Sequence, residues 1–153
     1  MDMVIGIGNE LRGDDGVGPR VVGQLPERPG HESLVVHQLA PELAERIQCA
    51  DRVLFVDARL EGDGVRLSKV APSPHRGLGH SCTPSALMEW TKQACGNTPE
   101  AWLLSIPGRS FDLGEGLSDD VEALVPEATR EIQSWLGIET PEPETVRALQ
   151  EEA

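Results

Sequence analysis

Apolar residues along this chain come in short continuous runs separated by polar, glycine-containing segments. That spacing predicts strands alternating with helices. Met3-Val4-Ile5-Gly6-Ile7 is one such run, ended by Gly8-Asn9, and predicts a buried strand. A loop over 8–16 leads to a helix over 18–25, with Pro19 tolerated in its first turn. Residues 34–37 predict a second strand, and 41–47 a helix that starts at Pro41 and carries Leu43 and Ile47 on its apolar side. Residues 52–57 form a third run, apolar until Asp57 at its end. Residues 65–70 alternate more and predict an edge strand or hairpin partner. A Pro/Gly/His-rich loop over 71–81 follows, and Thr83-Pro84 then reads as an N-cap and first-turn pair opening a helix to about residue 94. Residues 101–106 give another strand and 107–117 a second glycine-rich loop. Ser118 caps a last helix, with Asp119 and Asp120 favoured in its first turn by the helix dipole. Val121, Leu124, Val125, Ala128, Ile132 and Trp135 form its apolar face. Such alternation, with strands apolar throughout, predicts an α/β sandwich with a mostly parallel sheet. One domain is expected over 1–137, followed by an acidic, Pro-interrupted tail over 138–153.

Charge and composition narrow the function. The formal net charge is −13, and Lys69 and Lys92 are the only lysines, which argues against nucleic acid and anionic membrane surfaces as partners. No apolar run approaches the roughly 18 residues of a membrane span, so no membrane insertion is expected. Residues 1–5 lack the basic region and long apolar stretch of a secretory signal. Three cysteines, Cys49, Cys82 and Cys95, without a C-x-x-C spacing suggest neither a disulfide framework nor a structural zinc site. A reducing cytoplasm is the expected compartment. Aromatic residues are 3% of the chain, so the core must be built from Val, Leu, Ile and Ala.

In a parallel α/β sheet the ligand site lies outside the carboxyl ends of the strands. The loops after Ile7, Asp57 and Ile106 are therefore the places to look. The first of them is not a nucleotide loop: Leu11 stands where a dinucleotide fingerprint needs its third glycine, and Asp14 stands where a phosphate loop needs lysine. What it offers is a polar cluster, Asn9, Glu10, Asp14 and Asp15. Alone, that cluster reads as a solvated acidic turn capping the next helix. Asp57 changes the balance, because it puts a second carboxylate on the same sheet edge. Of the histidines, His31 reads as a surface residue and His37 as structural at a strand end. His75 and His80 share the loop before Thr83. Two acids and one histidine on converging loops give mixed N/O ligation, suited to Ni, Zn or Fe rather than Mg.

These residues also resemble a known family. Gly6-Ile7-Gly8-Asn9-Glu10-Leu11-Arg12-Gly13-Asp14-Asp15-Gly16-Val17-Gly18 is similar to the opening motif of the [NiFe]-hydrogenase maturation endopeptidases. Val53-Leu54-Phe55-Val56-Asp57-Ala58 resembles their apolar strand ending in Asp-Ala. His80, with Leu87 and Met88 downstream, resembles their histidine before a helix. Ser105-Ile106-Pro107, Gly114 to Ser118 and Val125-Pro126-Glu127-Ala128 resemble their C-terminal signature. The resemblance covers roughly residues 3–136. It implies a three-layer α/β/α sandwich around a small mixed sheet. It implies an endopeptidase that removes the C-terminal peptide from the precursor of a [NiFe]-hydrogenase large subunit after nickel insertion. Carried over position by position, the metal contacts are Asp15, Asp57 and His80, with His80 preferred to His75 for its spacing to Leu87. The nickel is the substrate's, held weakly by the protease itself. Docking it places the scissile bond by proximity. Asp15 or Asp57, or a metal-polarised water, then drives hydrolysis.

Two other classes compete. A receiver-like phospho-acceptor domain also pairs acids after its first strand with a strand-ending Asp. Here residues 8–13 intervene before the acids, and the Ile106-Pro107 region lacks the lysine such a domain needs. A non-enzymatic nickel-binding maturation chaperone predicts tight binding of free nickel. Three ligands without a His-rich tract suggest weak binding instead.

Overall fold

The computed structural model describes residues 1–74 and 82–138. Five strands form one sheet: β1 (Asp2–Ile7), β2 (His31–Val36), β3 (Arg52–Arg59), β4 (Arg66–Val70) and β5 (Glu100–Pro107). Their order is β2-β1-β3-β5-β4. All neighbours are parallel except β4, which runs antiparallel to β5 at one edge. This is the edge strand that the alternating 65–70 segment predicts. Among the described residues three α-helices join strands, α1 (Val17–Gly23), α2 (Ala44–Ile47) and α3 (Pro84–Cys95), and a fourth, α4 (Asp119–Trp135), follows β5.

Side-chain alternation along each strand divides the core in two. Val4, Leu54, Val56, Leu104 and Ile106 point to one face and pack under α1 and α4 through Val17, Val21, Val121, Ala128 and Ile132. Met3, Ile5, Ile7, Val53 and Phe55 point to the other face and pack against Ile47, Leu87 and Met88 of α2 and α3. Strands apolar on both faces are what two covering helix layers require, and the result is a three-layer α/β/α sandwich with a mixed, mostly parallel sheet. The helix expected over 41–47 is a 3₁₀ turn, Pro41–Leu43, followed by the single turn of α2. Thr83 caps α3 as its sequence predicts, accepting a hydrogen bond from Ala86 N at 3.1 Å.

Helix α1 packs against the strand ends at Gly18, where glycine allows a close approach. A Cβ on Gly18 would sit 2.5 Å from the Val56 carbonyl oxygen and 2.7 Å from that of Ile7. Any side chain there would push α1, and the loop before it, away from the strand ends. Among the described residues no helix is long and apolar enough to cross a membrane.

Candidate functional site

The site is built on a step in the sheet rim. The ladder between β1 and β3 stops at Gly6 and Val56. On its other side β3 continues against β5 for three more residues, Asp57 opposite Ser105 and Arg59 opposite Pro107. Asp57 is therefore not the end of its strand, as the apolar run suggested, but the first residue of β3 beyond the cover of β1. The extension is held by Arg59, whose guanidinium donates to the Ser105 carbonyl and hydroxyl at 3.0 and 2.9 Å and to three carbonyls of the turn that follows. By strand parity Asp57 follows Val53 and Phe55 onto the α3 face.

The Asp57 carboxylate is partly buried and accepts a hydrogen bond from Ala58 N at 2.8 Å. Burial pushes its carboxyl group up to about 7, against the opposing pull of the Ala58 N–H and with a further push from the charge on Asp15. Asp15 arrives from the other side. The backbone leaves β1 at Gly8 with φ 150°, and a Cβ there would fall 1.8 Å from the Asp15 carbonyl oxygen. Only glycine lets the loop fold back this tightly. The Asn9 N–H then donates to Asp15 Oδ2 at 2.7 Å, while Asn9 Oδ1 accepts from Leu11 N at 2.9 Å in a local turn.

The adjacent acid, Asp14, has a different role from the one its place in the acidic cluster suggests. It is fully buried. Its Oδ2 accepts from Arg109 N at 2.7 Å, Ser110 N at 2.9 Å and the Ser118 hydroxyl at 2.8 Å, and its Oδ1 from Ser118 N at 2.7 Å. Burial works to raise its carboxyl group, but the N–H groups of Ser118, Ser110 and Arg109 and the Ser118 hydroxyl prevail and hold it below the usual carboxylate value. Ser118 thus caps α4 by position only; its hydroxyl serves Asp14. Backbone bonds Gly13 N to Gly114 O, Asp14 N to Ser110 O and Gly114 N to Leu11 O complete the staple between the first loop and the strap over 108–118. Asp14 holds the loop, and the loop presents Asp15.

Asp15 and Asp57 line one cleft of about 260 Å³, together with His37, Cys82 and the start of α3 at Thr83 and Pro84. His37 reads from sequence as a structural strand-end residue. It is instead exposed, one residue past β2, on the cleft wall. The sequence signal for that was its position at the carboxyl end of a strand. Cys82 is a poor nucleophile here, because burial pushes its thiol up from its ordinary value. Among the described residues, no three His, Cys, Asp or Glu side chains gather as metal ligands. His80, the expected third ligand, and its competitor His75 lie outside the described residues, as does the tail from 139 on. The described part of the site therefore brings together two carboxylates, Asp15 and Asp57.

No protein-family model and no curated protein sequence matches the chain. Its structure does match solved ones. It is similar to a hydrogenase maturating endopeptidase from E. coli, with a TM-score of 0.73 at 18% identity over 89% of this chain and 91% of that one. It is similar to a hydrogenase 2 maturation peptidase from a Thaumarchaeota archaeon, with a TM-score of 0.66 at 25% identity over 90% and 99% of the two chains. A third match is a [NiFe] hydrogenase maturation protease from Thermococcus kodakarensis, with a TM-score of 0.71 at 23% identity over 89% and 92%. The chain has the fold of these maturation proteases over nearly the whole domain, in agreement with the family resemblance of its motifs.

Proposed function

We propose that this chain is an endopeptidase of the hydrogenase maturation family, which removes the C-terminal peptide of a [NiFe]-hydrogenase large-subunit precursor once nickel has been inserted. The observation that carries the reading is the convergence of Asp15 and Asp57 in one cleft at the carboxyl end of the sheet. Two carboxylates close enough for one to raise the other form a site short of positive charge. A divalent cation carried in by the substrate relieves that repulsion and releases the proton held by Asp57. His80 completes an O/O/N donor set of the kind that suits nickel. Because the metal belongs to the substrate, docking it also positions the peptide bond to be cut. Asp15 or Asp57, or a water polarised by the docked metal, then drives hydrolysis. Burial pushes the partly buried Cys82 thiol up from its ordinary value, which disfavours a nucleophilic role. Free cysteines at positions 49, 82 and 95 fit a reducing cytoplasm.

The test is processing of the precursor by Asp57→Ala and His80→Ala proteins. Both should fold and fail to cleave. Cleavage at the wild-type rate by either would remove that residue from the site.

A further inference from the structure

We propose that the outer edge of β2, with which no described strand pairs, receives an extended segment of the substrate polypeptide as an added strand, continuous with the Asp15–Asp57 cleft. The inference rests on the peptidase reading and names how the polypeptide is held. In a parallel ladder, alternate residues of a strand direct both backbone groups to the same neighbour. Gly30 O accepts from Asp2 N and Val36 O from Gly8 N, so the even positions of β2 face β1. The N–H and C=O groups of His31, Ser33 and Val35 then face outward, and among the described residues no strand pairs with them.

The two sheet edges differ in how they are guarded. Sheet edges are commonly blunted by Lys, Arg, Pro or bulges. β4 carries Arg66 and Lys69 within five residues, while the last four residues of β2, Ser33-Leu34-Val35-Val36, hold no charge, proline or glycine. Leu34 and Val36 pack toward the core, and Ser33 and Val35 stand exposed, Val35 at 45%. Small neutral side chains next to outward backbone groups leave room for a neighbouring strand. The edge also has a direction. β2 runs parallel to β1 and β3, so its carboxyl end opens where theirs do, and the next residue, His37, forms part of the cleft wall. A peptide paired along 31–35 therefore leads straight to the two carboxylates. Strand addition supplies affinity through main-chain bonds whatever the peptide's sequence, which leaves selectivity to the metal cleft.

The test is Val35→Pro, which deletes one outward N–H without touching the ladder to β1. With a nickel-loaded, C-terminally extended precursor, kcat/KM should fall about five- to tenfold, the equivalent of one main-chain hydrogen bond, with the melting temperature retained. Wild-type kcat/KM in this variant overturns strand addition and leaves the peptidase reading standing. Failure of the wild-type protein itself to cleave overturns both. Should Val35→Pro not fold, hydrogen exchange on the full-length Asp57→Asn protein decides. The Ser33 and Val35 amides should exchange quickly alone and slow when the precursor is added. Exchange that is slow before addition shows an edge already covered, by this chain or a second copy, and overturns the proposal. No slowing after addition overturns it as well.

Discussion

The adjacent acids Asp14 and Asp15 should separate stability from function. In Asp14→Ala, the Arg109, Ser110 and Ser118 N–H groups and the Ser118 hydroxyl lose one shared acceptor, at distances of 2.7 to 2.9 Å. Hydrogen bonds to an ionised group contribute roughly 1.5–3 kcal/mol each. The gross loss is offset because a buried charge disappears and because the strap can open to water. A net destabilisation of about 3–5 kcal/mol is expected, since four neutral donors lose their acceptor and each one left unsatisfied costs about 1–3 kcal/mol. For a domain of this size that is a fall in Tm of about 10 °C. Asp15 accepts one hydrogen bond, from Asn9 N, at a partly exposed position. Asp15→Ala should cost about 1 kcal/mol or less in stability while removing precursor cleavage. Urea unfolding followed by circular dichroism measures both variants, and limited proteolysis over 108–118 reports whether the strap has come free. The reasoning fails if Asp14→Ala lies within about 1 kcal/mol of wild type, or if Asp15→Ala is the more destabilised of the two.

Asp57 gives a pH-dependent prediction of the opposite sign to an ordinary ion pair. Its folded value of about 7 lies above the ordinary 3.8, so its charge opposes folding; the penalty is absent below pH 3.8, grows to pH 7 and is complete above it. Asp57→Asn should therefore be more stable than wild type at pH 8, by at most about 4 kcal/mol, and equal to it near pH 4, as urea titrations at the two pH values would show. Gly18→Ala should lower stability by about 2–4 kcal/mol, read as a fall in Tm, because its Cβ meets two strand carbonyls. Cys82→Ala should cleave the precursor at close to the wild-type rate, since burial pushes the thiol up and disfavours the thiolate; a loss beyond about tenfold in kcat would give Cys82 a catalytic role.

The layers of the fold were legible because β1, β3 and β5 are apolar on both faces, and only a sheet covered on both sides has that pattern. The Thr83-Pro84 helix start was legible because capping is local chemistry. Asp57 was legible as a polar residue closing an apolar run. Its place two residues before the true strand end was not, since that depends on Arg59 and Ser105 from different segments. Asp14 and Asp15 are equivalent in a sequence read locally. What separates them is a strap about a hundred residues away that supplies all of Asp14's donors. The role of His37 in the cleft wall was missed for the same reason: strand ends converge in space, and a lone histidine carries no mark of that convergence.

The central claim is tested most directly by incubating the protein with a nickel-loaded, C-terminally extended large-subunit precursor and following the precursor's mass, with the nickel-free precursor in parallel. Loss of the mass of the C-terminal peptide from the nickel-loaded form alone is the predicted result. No loss from the nickel-loaded form, or equal loss from both, would contradict the account.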